Sequence, residues 1–103
     1  MINSIGRRKA STARVYFFKG AGKITINGKD FKDYFPMPSI QATIVDPLII
    51  AQALEQYDIK VTVDGGGFKG QAEAIRLGIS RTLVKISEDN RKPLKEKKYL
   101  TRD

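Results

Sequence analysis

The densest group of chemically capable side chains is Gly6-Arg7-Arg8-Lys9, followed by the small residues Ala10, Ser11, Thr12 and Ala13 and then by Arg14. Arginine presents a planar fork that bonds two phosphate oxygens at once, and lysine a compact point charge. Small residues beside them let a polyanion approach the backbone, and Ser11 adds a hydroxyl. The pattern predicts phosphate binding through Arg7, Arg8, Lys9, Ser11 and Arg14. The competing reading is a disordered basic chain end. Against it, the cluster runs into residues 14–19, an aromatic and β-branched stretch that reads as a strand.

A second group is Gly65-Gly66-Gly67-Phe68-Lys69-Gly70-Gln71, between an alternating strand pattern and a helical one. Glycines there allow positive φ, and a helix start offers free N–H groups to phosphate. Gly66, Gly67, Lys69 and Gln71 are therefore candidate contacts, with a plain tight turn as the alternative. No Lys-Ser/Thr pair closes the run, so it is not a Walker loop. Gly65, Gly67 and Gly70 fit Gly-x-Gly-x-x-Gly, but about twenty residues on, where a ribose-binding acid belongs, stand Lys85 and Ile86. Further cations lie on the helix that follows, Lys69 and Arg76 on one flank and Arg81 and Lys85 on the other. Lys97, Lys98 and Arg102 complete the candidate set. Charge on a helix flank is commonly just solvated surface.

Other chemistries lack their residues. The 103-residue chain has no cysteine and no histidine. That excludes disulfides, zinc fingers and catalysis by Ser-His-Asp or Cys-His. The carboxylates are scattered, so no metal or other cofactor is expected. Asp30 with Asp33 reads as charge at a helix N-terminus. No apolar run is long enough to span a bilayer, and residues 1–4 form no signal-peptide core. A cytosolic protein without a membrane partner is expected.

The formal net charge is +8, and it is segregated. Residues 1–29 carry +7, residues 30–58 carry −4, residues 59–85 carry +3 and residues 86–103 carry +2. Charge serving solubility has no reason to separate in this way. A molecule with one phosphate-facing side and one water-facing side does.

These residues need elements to position them. Residues 14–19 and 23–26 read as a hairpin across Gly20-Ala21-Gly22, with Asn27-Gly28 as a second turn. Asp30 caps a short helix over 31–35, which Pro36 ends. Residues 40–45 are ambiguous between helix and extended chain. Asp46-Pro47 then reads as a cap and first residue of a helix to about Tyr57. Residues 59–63 alternate as a half-buried strand. A helix over 69–86 places Ala72, Ile75, Ile79, Thr82, Leu83 and Ile86 on one face. Gly78 inside it suggests a close approach. Leu77 and Val84 on the other side suggest a cover, for which a last helix capped by Ser87 is a candidate. The outline is an α+β two-layer sandwich, one domain over 1–103 with a terminal helix in 87–103.

Taken together, the residues resemble a family. Gly65-Gly66-Gly67-x-x-Gly70-Gln71-x-x-Ala74-x-x-x-Gly78-x-Ser80-Arg81 is similar to the signature of the ninth protein of the small ribosomal subunit, bacterial or organellar branch. Gly6-Arg7-Arg8-Lys9 with Ala13-Arg14-Val15, Gly22-Lys23-Ile24-x-Ile26-Asn27, Tyr34-Phe35, Pro47-Leu48 and Thr101-Arg102-Asp103 match in order. The resemblance implies the fold of the second domain of ribosomal protein five, with a left-handed βαβ crossover, an exception to the usual hand. It implies a place in the head of the small subunit, with small-subunit ribosomal RNA and neighbouring ribosomal proteins as partners. It also implies a basic tail that reaches P-site transfer RNA. The expectation is that this tail is absent from these 103 residues. The alternative function is a nucleotide- or phosphate-binding enzyme of related fold, with the glycine run as its site.

Overall fold

A computed structural model describes residues 1–101. Strands β1 (Ile2–Arg8) and β2 (Ser11–Lys19) open the chain, joined through Lys9 and Ala10, with Lys9 at φ 54°. The basic cluster is thus strand and turn, not a loose end. β3 (Ile24–Ile26) and β4 (Lys29–Asp30) form a small hairpin over Asn27 and Gly28, at φ 51° and 83°. Positive φ at both turn residues matches the twist of the strands they join. Asp30 caps α1 (Phe31–Tyr34), accepting the Lys32 N–H at 3.1 Å. Then follow α2 (Pro38–Ile50), β5 (Tyr57–Asp64), α3 (Phe68–Ile86), a 3-10 turn (Glu88–Asn90) and α4 (Arg91–Glu96).

The five strands form one sheet in the order β1-β2-β5-β3-β4. β5 pairs antiparallel with β2 and parallel with β3. The expected hairpin of residues 14–19 with 23–26 does not form, because β5 lies between them. The physical reason is ladder length. β5 matches β2 pair by pair from Thr12↔Asp64 to Lys19↔Tyr57, whereas three-residue β3 would leave most of β2's backbone groups unpaired. The turn after β2 crosses the start of β5 instead. There Asp58 Oδ1 accepts the N–H groups of Ala21, Gly22 and Lys23 at 3.1, 3.2 and 3.0 Å. These bonds, Lys23's foremost, hold the Asp58 carboxyl below the usual aspartate range.

One face of the sheet is buried. Ala13, Val15 and Phe17 of β2 line up with Ile59, Val61 and Val63 of β5, beside Ile24 and Ile26 of β3. α3 packs on β1 and β2, and α2 packs against α3. The arrangement is α+β, helices on one side and an open sheet face on the other. α3 buries Ala72, Ile75, Ile79, Thr82 and Leu83, the expected stripe, with Ile86 half-buried. Gly78 marks the close approach its sequence suggested. A Cβ on Gly6 would stand 1.9 Å from the Ala74 carbonyl oxygen and 2.6 Å from the Gly78 nitrogen. β1 therefore rests on the backbone of α3, and only glycine fits at that crossing.

α2 corrects the reading of residues 38–57. The helix begins at Pro38, runs through Pro47 and ends at Ile50. Asp46 is not its cap. A proline inside a helix forfeits one hydrogen bond and costs about 3 kcal/mol. Here Pro47 is buried beside Ile44 and Leu48, and that packing offsets the loss. The end is set by a left-handed Gln52 at φ 54°, which returns its N–H to Ile49 O and that of Ala53 to Leu48 O. This bonding pattern stops a helix. Ser87 precedes the 3-10 turn rather than capping the last helix directly, and α4 spans Arg91–Glu96 with Pro93 in its first turn.

Candidate nucleic-acid interface

β1 is an edge strand, and the predicted cations gather along it. Edge strands expose unpaired backbone groups, which proteins cover or charge. Arg81 donates to the Ile5 carbonyl at 2.8 Å, and Lys85 donates to the Asn3 carbonyl at 2.5 Å. The cationic flank of α3 is thereby fixed to β1 as well as exposed to solvent.

Arg7, Arg8, Arg76 and Lys98 line one pocket of about 280 Å³, together with Glu73, Leu77 and Tyr99. The four cations, up to 91 positions apart, are brought together by two devices. Arg8 Nε donates to Glu73 Oε1 at 2.8 Å, tying β1 to α3. Lys98, left-handed at φ 64°, returns the Tyr99 N–H to Leu94 O at 3.0 Å and turns the chain back. The Arg76 guanidinium sits 4.3 Å from the centroid of the Tyr99 ring, and the Tyr99 hydroxyl donates to Asp46 Oδ2. Burial pushes the Tyr99 phenol up, and the Asp46 carboxylate adds to it. Leu77 lies beside Arg7, Arg8 and Tyr99 in this pocket, and α4 also packs against α3.

The open sheet face carries a second group. Cross-strand register aligns Arg7 with Thr12 and Asp64, Ile5 with Arg14 and Thr62, and Asn3 with Tyr16 and Lys60. Arg7 Nη1 reaches Thr12 Oγ1 at 3.4 Å. Arg14 is exposed, Phe18 is 42% exposed, and Tyr16 is half-buried. Lys60, Tyr16 and Phe18 are not among the sequence candidates. Their signal is present in the alternation of β2, whose other face holds Ala13, Val15 and Phe17, and of β5, whose other face holds Ile59, Val61 and Val63.

A third group joins the candidates Arg81 and Lys85 to Arg91, which the sequence did not single out, in a groove of about 640 Å³ between β1 and the end of α3. Arg91 is paired with Glu88 at 2.5 Å, which raises the guanidinium's pKa. Ser4 lines the same groove, and its buried Oγ has no hydrogen-bond partner among the described residues.

The glycine run serves an internal contact. Gly65 and Gly66 have φ 76° and 65°, and Cβ atoms there would lie 2.1 Å from Ala10 O and 2.2 Å from Ser11 Oγ. The β1–β2 turn thus packs against Gly65 and Gly66, while a Cβ on Gly67 would meet open space. Ser11 and Gln71 are buried, and both donate to Gly65 O, at 3.0 and 3.1 Å. Gln71 also accepts from the Tyr34 hydroxyl at 2.9 Å. Two predicted site residues thus commit their polar atoms to holding the loop. Gly67, Lys69, Lys9 and Lys97 remain exposed. Lys9 and Lys69 flank this end of the molecule, while Lys97 lines none of the three basic groups. Arg102 lies outside the described residues.

Among the described residues no group of acidic, histidine or cysteine side chains could hold a metal, and no helix is long and apolar enough to cross a membrane. The family model described as ribosomal protein S9/S16 matches residues 6–103. The chain belongs to that family. The small ribosomal subunit protein uS9 of Parabacteroides distasonis is 50% identical over 103 residues, all of this chain and 80% of that relative. The uS9 protein of Amoebophilus asiaticus is likewise 50% identical over 103 residues, again all of this chain and 80% of the relative. That of Gemmatimonas aurantiaca is 46% identical over 102 residues, covering 79% of its length. The family is one of structural ribosomal proteins of the small subunit, here of bacterial type, and not of enzymes. The enzyme alternative for the glycine run is thereby set aside.

Proposed function

We propose that the chain is a structural constituent of the small ribosomal subunit that anchors small-subunit ribosomal RNA along the β1 edge. The observation that carries this reading is convergence. Arg7, Arg8, Arg76 and Lys98 surround one pocket, and Arg14 and Lys60 stand on the adjoining sheet face. Cations spaced along a ridge neutralise successive phosphates, while Tyr16 and Phe18 offer rings against which an unpaired base can stack. Lys9, Lys69, Gly66 and Gly67 extend the interface past the turn end, and Lys97 extends it past α4, while Arg102, outside the described residues, is a candidate contact by its charge alone. Ser11 and Gln71 act indirectly, by holding the turn and loop together.

The 103 residues work as one RNA-binding unit, to which the last helix and the turn at Lys98 contribute by folding back beside β1. The parallel β3–β5 pair, joined through α1 and α2, fits the βαβ crossover of ribosomal protein five's second domain, left-handed by that kinship. A place in the subunit head, in the bacterial cytoplasm, follows from the same kinship, with neighbouring ribosomal proteins as further partners. No residue of these 103 is assigned to transfer RNA.

The test is binding to a head-domain ribosomal RNA fragment across a salt series. Arg7→Gln, Arg14→Gln, Lys60→Gln and Lys98→Gln are combined, leaving Arg8 with its structural partner Glu73. Affinity should fall, and the log–log salt slope should flatten by about 0.7–0.9 for each phosphate no longer neutralised. Unchanged affinity with an unchanged slope refutes the reading.

A further inference from the structure

Ser4 departs from the pattern of its strand. It stands on the core side of β1, opposite the buried Val15, where alternation calls for an apolar side chain. It is 7% exposed, and its Oγ is the only buried side-chain polar atom among the described residues without a hydrogen-bond partner. A hydroxyl that loses water and gains no partner destabilises the fold, so its place calls for something else to bond it.

The groove of about 640 Å³ that Ser4 lines is of small-ligand size and carries positive charge. Arg81, Lys85 and Arg91 line it, and Glu88 is the only acid among its lining residues. The Ile5 and Asn3 carbonyls hold Arg81 and Lys85, and Glu88 holds Arg91. Each of these bonds uses one donor of a side chain that has several. Cations already fixed in place thus keep N–H groups for an anion. Ile5, Val84 and Leu100 add apolar wall. Free phosphate would leave that wall unused, and a paired RNA helix turns its bases inward. An unpaired nucleotide suits all three features: phosphate for the cations, a base for the wall, and polar base atoms for a hydroxyl.

We propose that this groove takes one unpaired nucleotide of the small-subunit ribosomal RNA, its phosphate on Lys85 and Arg91, its base against Val84 and Leu100, and its polar atoms bonded by Ser4. The inference rests on the RNA reading above. It adds a recess, separate from Arg14 and Lys60 on the sheet face, where an extruded base is selected rather than charge alone.

Binding of the full chain to the head-domain RNA fragment across a salt series tests it. Ser4→Ala removes the hydroxyl and no charge. Affinity should fall about fivefold, the scale of one hydrogen bond, with an unchanged salt slope and no loss of thermal stability. Arg91→Gln should lower affinity and flatten the slope by about 0.7–0.9, the signature of one phosphate. Wild-type affinity in Ser4→Ala overturns the proposal and leaves an ordered water as the hydroxyl's partner. A loss of stability in Ser4→Ala overturns it too, by assigning the hydroxyl to the fold. As a second measure, a photoreactive residue at position 100 in assembled small subunits should crosslink to one nucleotide that chemical probing shows to be unpaired. Crosslinking to paired nucleotides, to a protein or to nothing overturns the proposal. The β1 reading fails separately: the combined Arg7, Arg14, Lys60 and Lys98 variant then binds as wild type does, while Ser4→Ala and the position 100 crosslink still report on the groove.

Discussion

The β1 edge and the α2 flank solve the same problem in opposite ways. Both are surfaces that a small α+β protein cannot cover with its own chain. β1 exposes backbone carbonyls, and Arg81 and Lys85 meet them with cations. α2 exposes apolar side chains, and no cation follows Lys32 until Lys60. Side-chain charge on one edge attracts phosphate. On the other, Ile49 and Leu54 leave apolar area exposed. The two surfaces therefore differ in the contacts they can offer, charged and hydrogen-bonding on one and apolar on the other.

The largest test of this contrast removes β1 from its seat. Gly6→Ala places a Cβ into the Ala74 carbonyl, an overlap that no rotamer relieves. Denaturant unfolding should show a loss of about 3 kcal/mol, the upper end of overpacking costs, and RNA affinity should fall with it. A loss under about 1 kcal/mol would mean that β1 does not rest on α3 as described. By contrast, Ile49→Ser on α2 should change stability by no more than about 0.5 kcal/mol, as exposed positions do.

A finer test uses the two left-handed helix ends, Gln52 after α2 and Lys98 after α4. Glycine suits that conformation, so Gln52→Gly and Lys98→Gly should each raise stability by up to about 1 kcal/mol in thermal or chemical unfolding. Only Lys98→Gly should weaken RNA binding. Equal loss from both would blur the distinction between the regions.

The smallest effect concerns Asp58, an acid committed to structure rather than to a partner. Its carboxyl is held below the ordinary value, so its contribution is complete above that value and is lost as pH falls through the depressed one. An unfolding series in acid should show this decline, and Asp58→Asn should remove it. Identical acid profiles for the two proteins would show that the Ala21–Lys23 turn does not depend on the charge.

Much of this is legible locally. β5 shows itself by alternation, α3 by its stripe, and the β3–β4 turn by Asn27-Gly28. β1 is hidden because Asn3, Ser4 and Gly6 carry little strand propensity, and its pairing with β2 supplies what they lack. α2 misleads because Asp46-Pro47 is a genuine local start signal, overridden once Pro47 is buried. Residue type identifies the cations, yet it does not tell which are already bonded. Arg8 and Arg81 hold β1 to α3, and Ser11 and Gln71 hold the glycine loop, through partners 54 to 76 positions away or through folding of the loop on itself.

The sequence alone determined the inventory and its division: no thiol or imidazole chemistry, basic charge before Asp30, acidic and apolar character from there to Asp58, and a family signature across nearly the whole chain. Those properties depend on residue type and order, which folding does not alter. Tertiary structure decided which cations converge at the β1 edge, why Gly6 must be glycine where it crosses α3, and which apolar side of α2 stays uncovered. These depend on backbones and side chains distant in sequence meeting within a few ångströms, and the strand order β1-β2-β5-β3-β4 brings that about.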